Sequence, residues 1–198
     1  MKLNNRIIVI IFALFTFLHQ SKAQLSGILN VPGTYTSLAS AIADLNLQGV
    51  NGAVTVNIAS GYSETSPVGG YSITVTGTSL NPITFQKSGL GSNPLIVAYS
   101  GGTATPSSAI QDGVIKLSGC DYITIDGVDI IDPNISNPST MEYGIGLFKL
   151  NAADGCQYNV IRNCNIILNR INNIIGTSPA ADGACGIEIV NSIFSMHT

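Results

Sequence analysis

Three carboxylates crowd one short stretch of the 198-residue chain, Asp126-Gly127-Val128-Asp129-Ile130-Ile131-Asp132-Pro133. Asp126 and Asp129 are both expected to face outward. Outward carboxylates in a cluster suit a hard cation such as calcium, or the hydroxyls of a glycan. Asp126, Asp129 and Asp132 are therefore the candidate binding residues, and no cofactor other than that calcium is implied. Each acid also has a plainer use: Asp126 stands before a turn at Gly127, Asp129 meets Asn165 of a later repeat, and Asp132 stands before Pro133, a common turn device.

Other chemistries are poorly supplied. The histidines are His19 and His197, so a Ser-His-Asp triad has almost nothing to draw on. Gly69-Gly70 and Gly101-Gly102 are not followed by Lys-Ser/Thr, which argues against a phosphate-binding loop. Cys120, Cys156, Cys164 and Cys185 show no CxxC pair or neighbouring His with zinc-ligand spacing. They are an even set, open to disulfide pairing in an exported chain or to use as small buried hydrophobes. Tyr35, Tyr62, Tyr71, Tyr99 and Tyr143 could line a sugar-stacking face or pack at strand ends.

Composition narrows the classes further. The chain is 45% apolar and only 10% charged, which disfavours disorder and coiled coil. Residues 1–23 read as a secretory signal: Lys2 and Arg6, an apolar run over 7–18, then Ser21 and Ala23 at the cleavage positions. That run is shorter than the ~20 residues a membrane span needs, and no other segment approaches that length. Removal of the signal leaves Lys87, Lys116, Lys149, Arg162 and Arg170 against all eleven acids, a net charge of about −6. No basic cluster is present, so nucleic acid is not an expected partner.

The elements that position these residues are of two kinds. Leu38, Ala41, Ile42 and Leu45 form one apolar stripe at helical spacing, with Thr34, Thr36 or Ser37 as caps and Gly49 just past the end. From residue 53 the period is two. Short strands are expected at 53–58, 72–76, 83–86, 95–99, 114–117, 122–125, 128–131, 145–150, 160–161, 165–168, 173–175 and 187–190. Strands so short favour a solenoid over a sandwich.

A repeat supports this. Gly119-Cys120-Asp121-Tyr122-Ile123-Thr124-Ile125-Asp126-Gly127-Val128-Asp129-Ile130 aligns, 36 residues on, with Gly155-Cys156-Gln157-Tyr158-Asn159-Val160-Ile161-Arg162-Asn163-Cys164-Asn165-Ile166. Gly113-Val114-Ile115-Lys116-Leu117 matches the segment from Gly144 more loosely, and Gly186-Ile187-Glu188-Ile189 offers a third start. Stacked coils would place Ile125 on Ile161, Tyr122 on Tyr158, Val128 on Cys164, and Asp126 beside Arg162. Asn159 opposite Ile123 breaks the pattern at a slot expected to be apolar. Paired acids for glycoside cleavage need carboxyls at equivalent positions of neighbouring coils. Here Asp121, Asp126 and Asp129 give way to Gln157, Arg162 and Asn165.

From about residue 31 the chain resembles the right-handed parallel β-helix proteins of the pectin-lyase-like superfamily. Residues 33–42 are similar to the capping helix that opens many such domains. Residues 53–64, a strand running into a Gly61-Tyr62-Ser63-Glu64 corner, are similar to a first coil, and 122–130 and 159–166 to the generic coil. Enzymes of this superfamily use outward carboxylates on neighbouring coils, for uronic-acid chemistry or calcium. The paired acids and histidine of its polygalacturonases and the Asp-Phe coil of its pectinesterases have no counterpart here. Arg162 or Arg170 would act as a lyase-type base only beside a calcium–carboxylate site. The low charge and Asn/Gly/Ser/Thr-rich coils also look like large secreted surface proteins of Bacteroidota-type bacteria.

The expected fold is thus all-β: a signal over 1–23, then a right-handed parallel β-helix (solenoid) over 24–198, with a short N-terminal capping helix. The chain stops soon after a coil begins, with no capping segment, so the natural product is expected to be longer. The expected function is an exported structural or adhesive module, secreted or at the extracellular cell surface, meeting a polysaccharide or a cell-surface protein along its lateral face. The mature chain is expected to have no membrane span. The alternative is a polysaccharide-active enzyme, pectate-lyase-like or a glycoside hydrolase, whose catalytic coils lie elsewhere.

Overall fold

The computed structural model describes residues 24–100, 112–134, 141–168 and 185–193. The expected signal, the strand expected at 173–175, Arg170 and His197 lie outside the described residues. The elements are β1 (Leu25–Val31), α1 (Leu38–Gln48), β2 (Val50–Ala59), β3 (Ser63–Thr65), β4 (Tyr71–Ile73), β5 (Ile83–Ser88), β6 (Leu95–Val97), β7 (Gly113–Ser118), β8 (Ile123–Asp126), β9 (Asp129–Ile131), β10 (Tyr143–Lys149), β11 (Val160–Arg162), β12 (Ile166–Ile167) and β13 (Cys185–Ile193). The protein is all-β with one helix, and its named strands pair in parallel.

The strands form three sheets. Sheet A runs β1-β2-β5-β8-β11, sheet B β3-β6-β9-β12, and sheet C β4-β7-β10-β13. From β2 onward the chain visits A, B and C in turn, so each strand pairs with the strand three places later. Parallel neighbours cannot be joined by a tight hairpin, and this order satisfies that constraint.

Alternation sets the core. Leu29, Val56, Phe85, Ile125 and Ile161 lie opposite one another along sheet A. Sheet B contributes Ile96, Ile130 and Ile166, and sheet C contributes Tyr71, Ile115 and Ile145. These side chains belong to, or pack against, one buried apolar cluster that also takes in the helical stripe Leu38, Ala41, Ile42 and Leu45. The outward side of sheet A carries two polar rows, Thr55-Thr84-Thr124 and Asn57-Gln86-Asp126-Arg162.

The corner from sheet A to sheet B needs a left-handed residue. Gly127 supplies it between β8 and β9 (φ 68°), and Asn163, at the equivalent place between β11 and β12, adopts φ 57°. Glycine and asparagine are the residues that tolerate this region best.

The helix is held at its start by Ser37 and Ser40. Ser37 Oγ accepts from the Ser40 amide at 3.1 Å, and Ser40 Oγ accepts from the Ser37 amide at 3.3 Å. Gly49 ends it, as expected. Two strands were not legible. In β1 the alternation is broken at Gly27, where the register shifts. In β3 the inward slot holds no apolar residue but Glu64, opposite Ile96.

Candidate functional site

Asp126 closes β8, Asp129 opens β9, and Asp132 follows it. Asp126 Oδ2 accepts from Arg162 Nε at 2.9 Å, and Asp126 Oδ1 accepts from Asn163 Nδ2 at 2.7 Å. The Asn163 bond, helped by Arg162 and Lys87 against partial desolvation, holds the Asp126 carboxyl below its ordinary value. Asp129 Oδ1 accepts from Asn93 Nδ2 at 2.8 Å and from the Asn165 amide at 2.9 Å. Asp132 is buried, and its Oδ1 accepts from the Asn134 amide in a local turn. The three acids thus engage different partners. Among the described residues, no group of three or more His, Cys, Asp or Glu side chains is arranged to hold a metal ion.

What Asp126 and Asp129 do belongs to a series. At one constant spacing of 36 residues, Asp121 Oδ1 accepts from the Gln157 amide, Asn159 Oδ1 from the Ile123 amide, Asp126 from Arg162, and Asp129 from the Asn165 amide. These side chains staple one repeat to the next. Asn159, out of place as an apolar filler, is explained by this: its Nδ2 also donates to the Cys120 carbonyl at 2.7 Å. A buried backbone donor and acceptor are satisfied together, where an isoleucine would satisfy neither.

Of the two uses open to the five tyrosines, the structure favours packing over a sugar-stacking face. Tyr71, Tyr99 and Tyr143 are buried. Tyr35 donates to Asp44 and Tyr62 to Glu64, and burial with these carboxylates pushes both phenols up to about 12. Among the described residues, the exposed aromatic is Tyr158, 67% exposed, which stacks on Tyr122 with centroids 4.7 Å apart and planes 19° from parallel. Both tyrosines are left-handed, at φ 56° and 54°.

A second polar group was missed. Asp112 and Glu142 precede β7 and β10 at the same register position, given that Gly113 lies opposite Tyr143. Both are 8% exposed. Asp112 accepts from the Tyr99 hydroxyl, and its amide donates to Glu142 Oε2 at 2.6 Å. Burial lowers the Lys116 ammonium nearby, against the attraction of Asp112. This is a pair of acids at the starts of neighbouring parallel strands. It escaped the 36-residue comparison because its spacing is 30. The loose sheet C alignment was also one residue off: Gly113 pairs with Tyr143, not Gly144.

The four cysteines are free thiols. Cys120 Sγ donates to the Ile73 carbonyl at 2.8 Å, and burial pushes its pKa up to about 12. Burial likewise raises Cys156, Cys164 and Cys185, so all four are poor nucleophiles. Compared with known proteins, the chain matches no family model, no curated protein and no solved structure.

Proposed function

We propose that the protein is a right-handed parallel β-helix of the pectin-lyase-like kind. It acts as an exported structural or adhesive module at the cell surface, presenting its lateral face to glycans or neighbouring proteins. The winding is supported by the strict A-B-C order of the strands and their parallel registers. One observation carries the non-enzymatic reading. The polar row on sheet A is bonded within itself, Gln86 to Asn57 at 3.0 Å and Arg162 to Asp126 at 2.8 Å. Groups that satisfy one another along the stack make a stiff polar face. The row holds a single carboxyl, Asp126, where glycoside cleavage uses two.

The test is retention against turnover. Residues 24–198 are passed over immobilised polygalacturonate, alginate and a cell-surface glycan panel, and the same mixtures are assayed for unsaturated products and reducing ends. Retention without product is expected. The polysaccharide-active alternative is favoured by the Asp112–Glu142 pair, and product release abolished by Asp112→Asn would establish it. Neither retention nor release would reduce the module to a spacer.

A further inference from the structure

The seven tyrosines divide by what their rings and hydroxyls touch. Tyr71, Tyr99 and Tyr143 are buried, and Tyr35 and Tyr62 donate to Asp44 and Glu64. Tyr122 and Tyr158 face each other instead. Their backbones are held together: Asp121 pairs with Gln157, the Tyr122 amide donates to the Gln157 carbonyl at 3.1 Å, and the Gln157 amide donates to Asp121 Oδ1 at 2.7 Å. Both tyrosines are left-handed at nearly the same φ, so both side chains leave the backbone in one direction. Carbon atoms of stacked rings touch at about 3.5–4.0 Å. A centroid separation of 4.7 Å between planes 19° apart therefore means rings in contact, one slid sideways over the other.

Solvent reaches this pair from the side. The register puts Pro82 next to Tyr122 on the side away from Tyr158, and between these two neighbours Tyr122 is still partly exposed. Its accessibility therefore does not depend on the outer face of Tyr158. The thiols two residues before each tyrosine are turned elsewhere. Cys120 Sγ donates to the Ile73 carbonyl, and Cys156 Sγ to the Leu117 and Phe148 carbonyls. The group set against each phenol is the other phenol.

We propose that Tyr122 and Tyr158 are an oxidative cross-linking site, at which a one-electron oxidant of the peroxidase type, fed by hydrogen peroxide, makes a dityrosine. One electron and one proton leave each phenol, giving two phenoxyl radicals. A carbon–carbon bond forms between ring positions ortho to the two oxygens. Each ring then shifts its ortho hydrogen to its own oxygen, which restores the aromatic ring and the hydroxyl. Two hydrogen atoms are lost in all, and one peroxide is reduced to two waters. Contact within the folded chain replaces a chance encounter of two radicals, and that is the source of selectivity. The product ties residues 36 apart and restricts the unfolded chain, as a disulfide does. The inference goes beyond the proposed function and stands whichever surface role the protein has.

The test treats the purified chain, held dilute, with peroxidase and hydrogen peroxide, then digests it. Expected are a monomer lighter by two hydrogen atoms, dityrosine fluorescence, and a cross-linked fragment containing Tyr122 and Tyr158. Tyr122→Phe and Tyr158→Phe keep both rings but remove one phenol, so each should lower the monomeric product about tenfold or more. Unfolding in urea before oxidation should lower it similarly, because the fold makes the contact. A monomer of unchanged mass overturns the inference. So does a cross-link mapped to another pair, links between molecules only, or a yield that survives unfolding or either substitution.

Discussion

The first and last described strands of sheet B fill the same inward slot differently. Near α1, the sheet B inward row begins with Glu64; in the last described coil, it ends with Ile166. A carboxylate is tolerable at the first place because the helix start supplies donors. Glu64 Oε2 accepts from the Leu38 amide at 2.7 Å, Oε1 from the Ala39 amide at 3.2 Å, and the Tyr62 hydroxyl donates to it as well. The free amides of a helix start and its partial positive charge favour an anion there. In the last described strand of the sheet the inward slot holds an isoleucine, Ile166, which is partly buried against the apolar cluster. One slot of the row is a polar plug bound to a helix, and its counterpart in the last described strand is an isoleucine.

The sharpest break of this comparison is a pair of truncations at matched slots. Ile125→Ala, in the middle of its row, should lower unfolding stability by about 3–4 kcal/mol, and Ile161→Ala by only about 1 kcal/mol, because the cost scales with how completely the removed atoms were enclosed. Urea titrations of both variants check this; equal losses would mean that the last coil is as well covered as the middle one. Glu64→Ala should cost about 2–3 kcal/mol, since it leaves two amides and a phenol without their acceptor. Hydrogen exchange should then show faster opening of α1 and unchanged rates in β8.

Smaller effects probe the corners between the ends. Gly127→Ala places a β-carbon on a residue at φ 68°, for about 1 kcal/mol, and Asn163→Gly at the equivalent corner should change stability by only a few tenths of a kcal/mol. Asp126 gives the smallest signal. Its carboxyl titrates below the ordinary value of 3.8, so its contribution is complete above that value and is lost as pH falls through the depressed one. The pair with Arg162 is solvent-exposed, so the loss should stay within about 1 kcal/mol and shrink in high salt. Asp126→Asn should flatten the acid limb of the stability curve by that amount, as read by denaturant midpoints.

What could be read from the chain alone follows from how literally it repeats. Ile125 on Ile161, Tyr122 on Tyr158 and Asp126 beside Arg162 lie as the 36-residue alignment placed them, because residue types recur there. The helix was legible because four apolar residues keep one helical face. β3 was not, because Glu64 occupies the slot by which a strand is recognised, and its partners are 25 and 26 residues away. Asp112 and Glu142 were hidden by a repeat of different length, 30 residues instead of 36. Asp126, Asp129 and Asp132 were found as a cluster in sequence. Their role as staples depends on Asn93, Asn163 and Asn165, whose amides no short motif announces.

The cofacial phenols of Tyr122 and Tyr158 also have an optical meaning. The chain contains no tryptophan, so its ultraviolet emission and near-ultraviolet ellipticity arise chiefly from phenol rings. At a centroid distance of 4.7 Å the two transition dipoles couple. Loss of that coupling on heating would time the separation of two adjacent rungs in the unlabelled molecule, independently of any far-ultraviolet change.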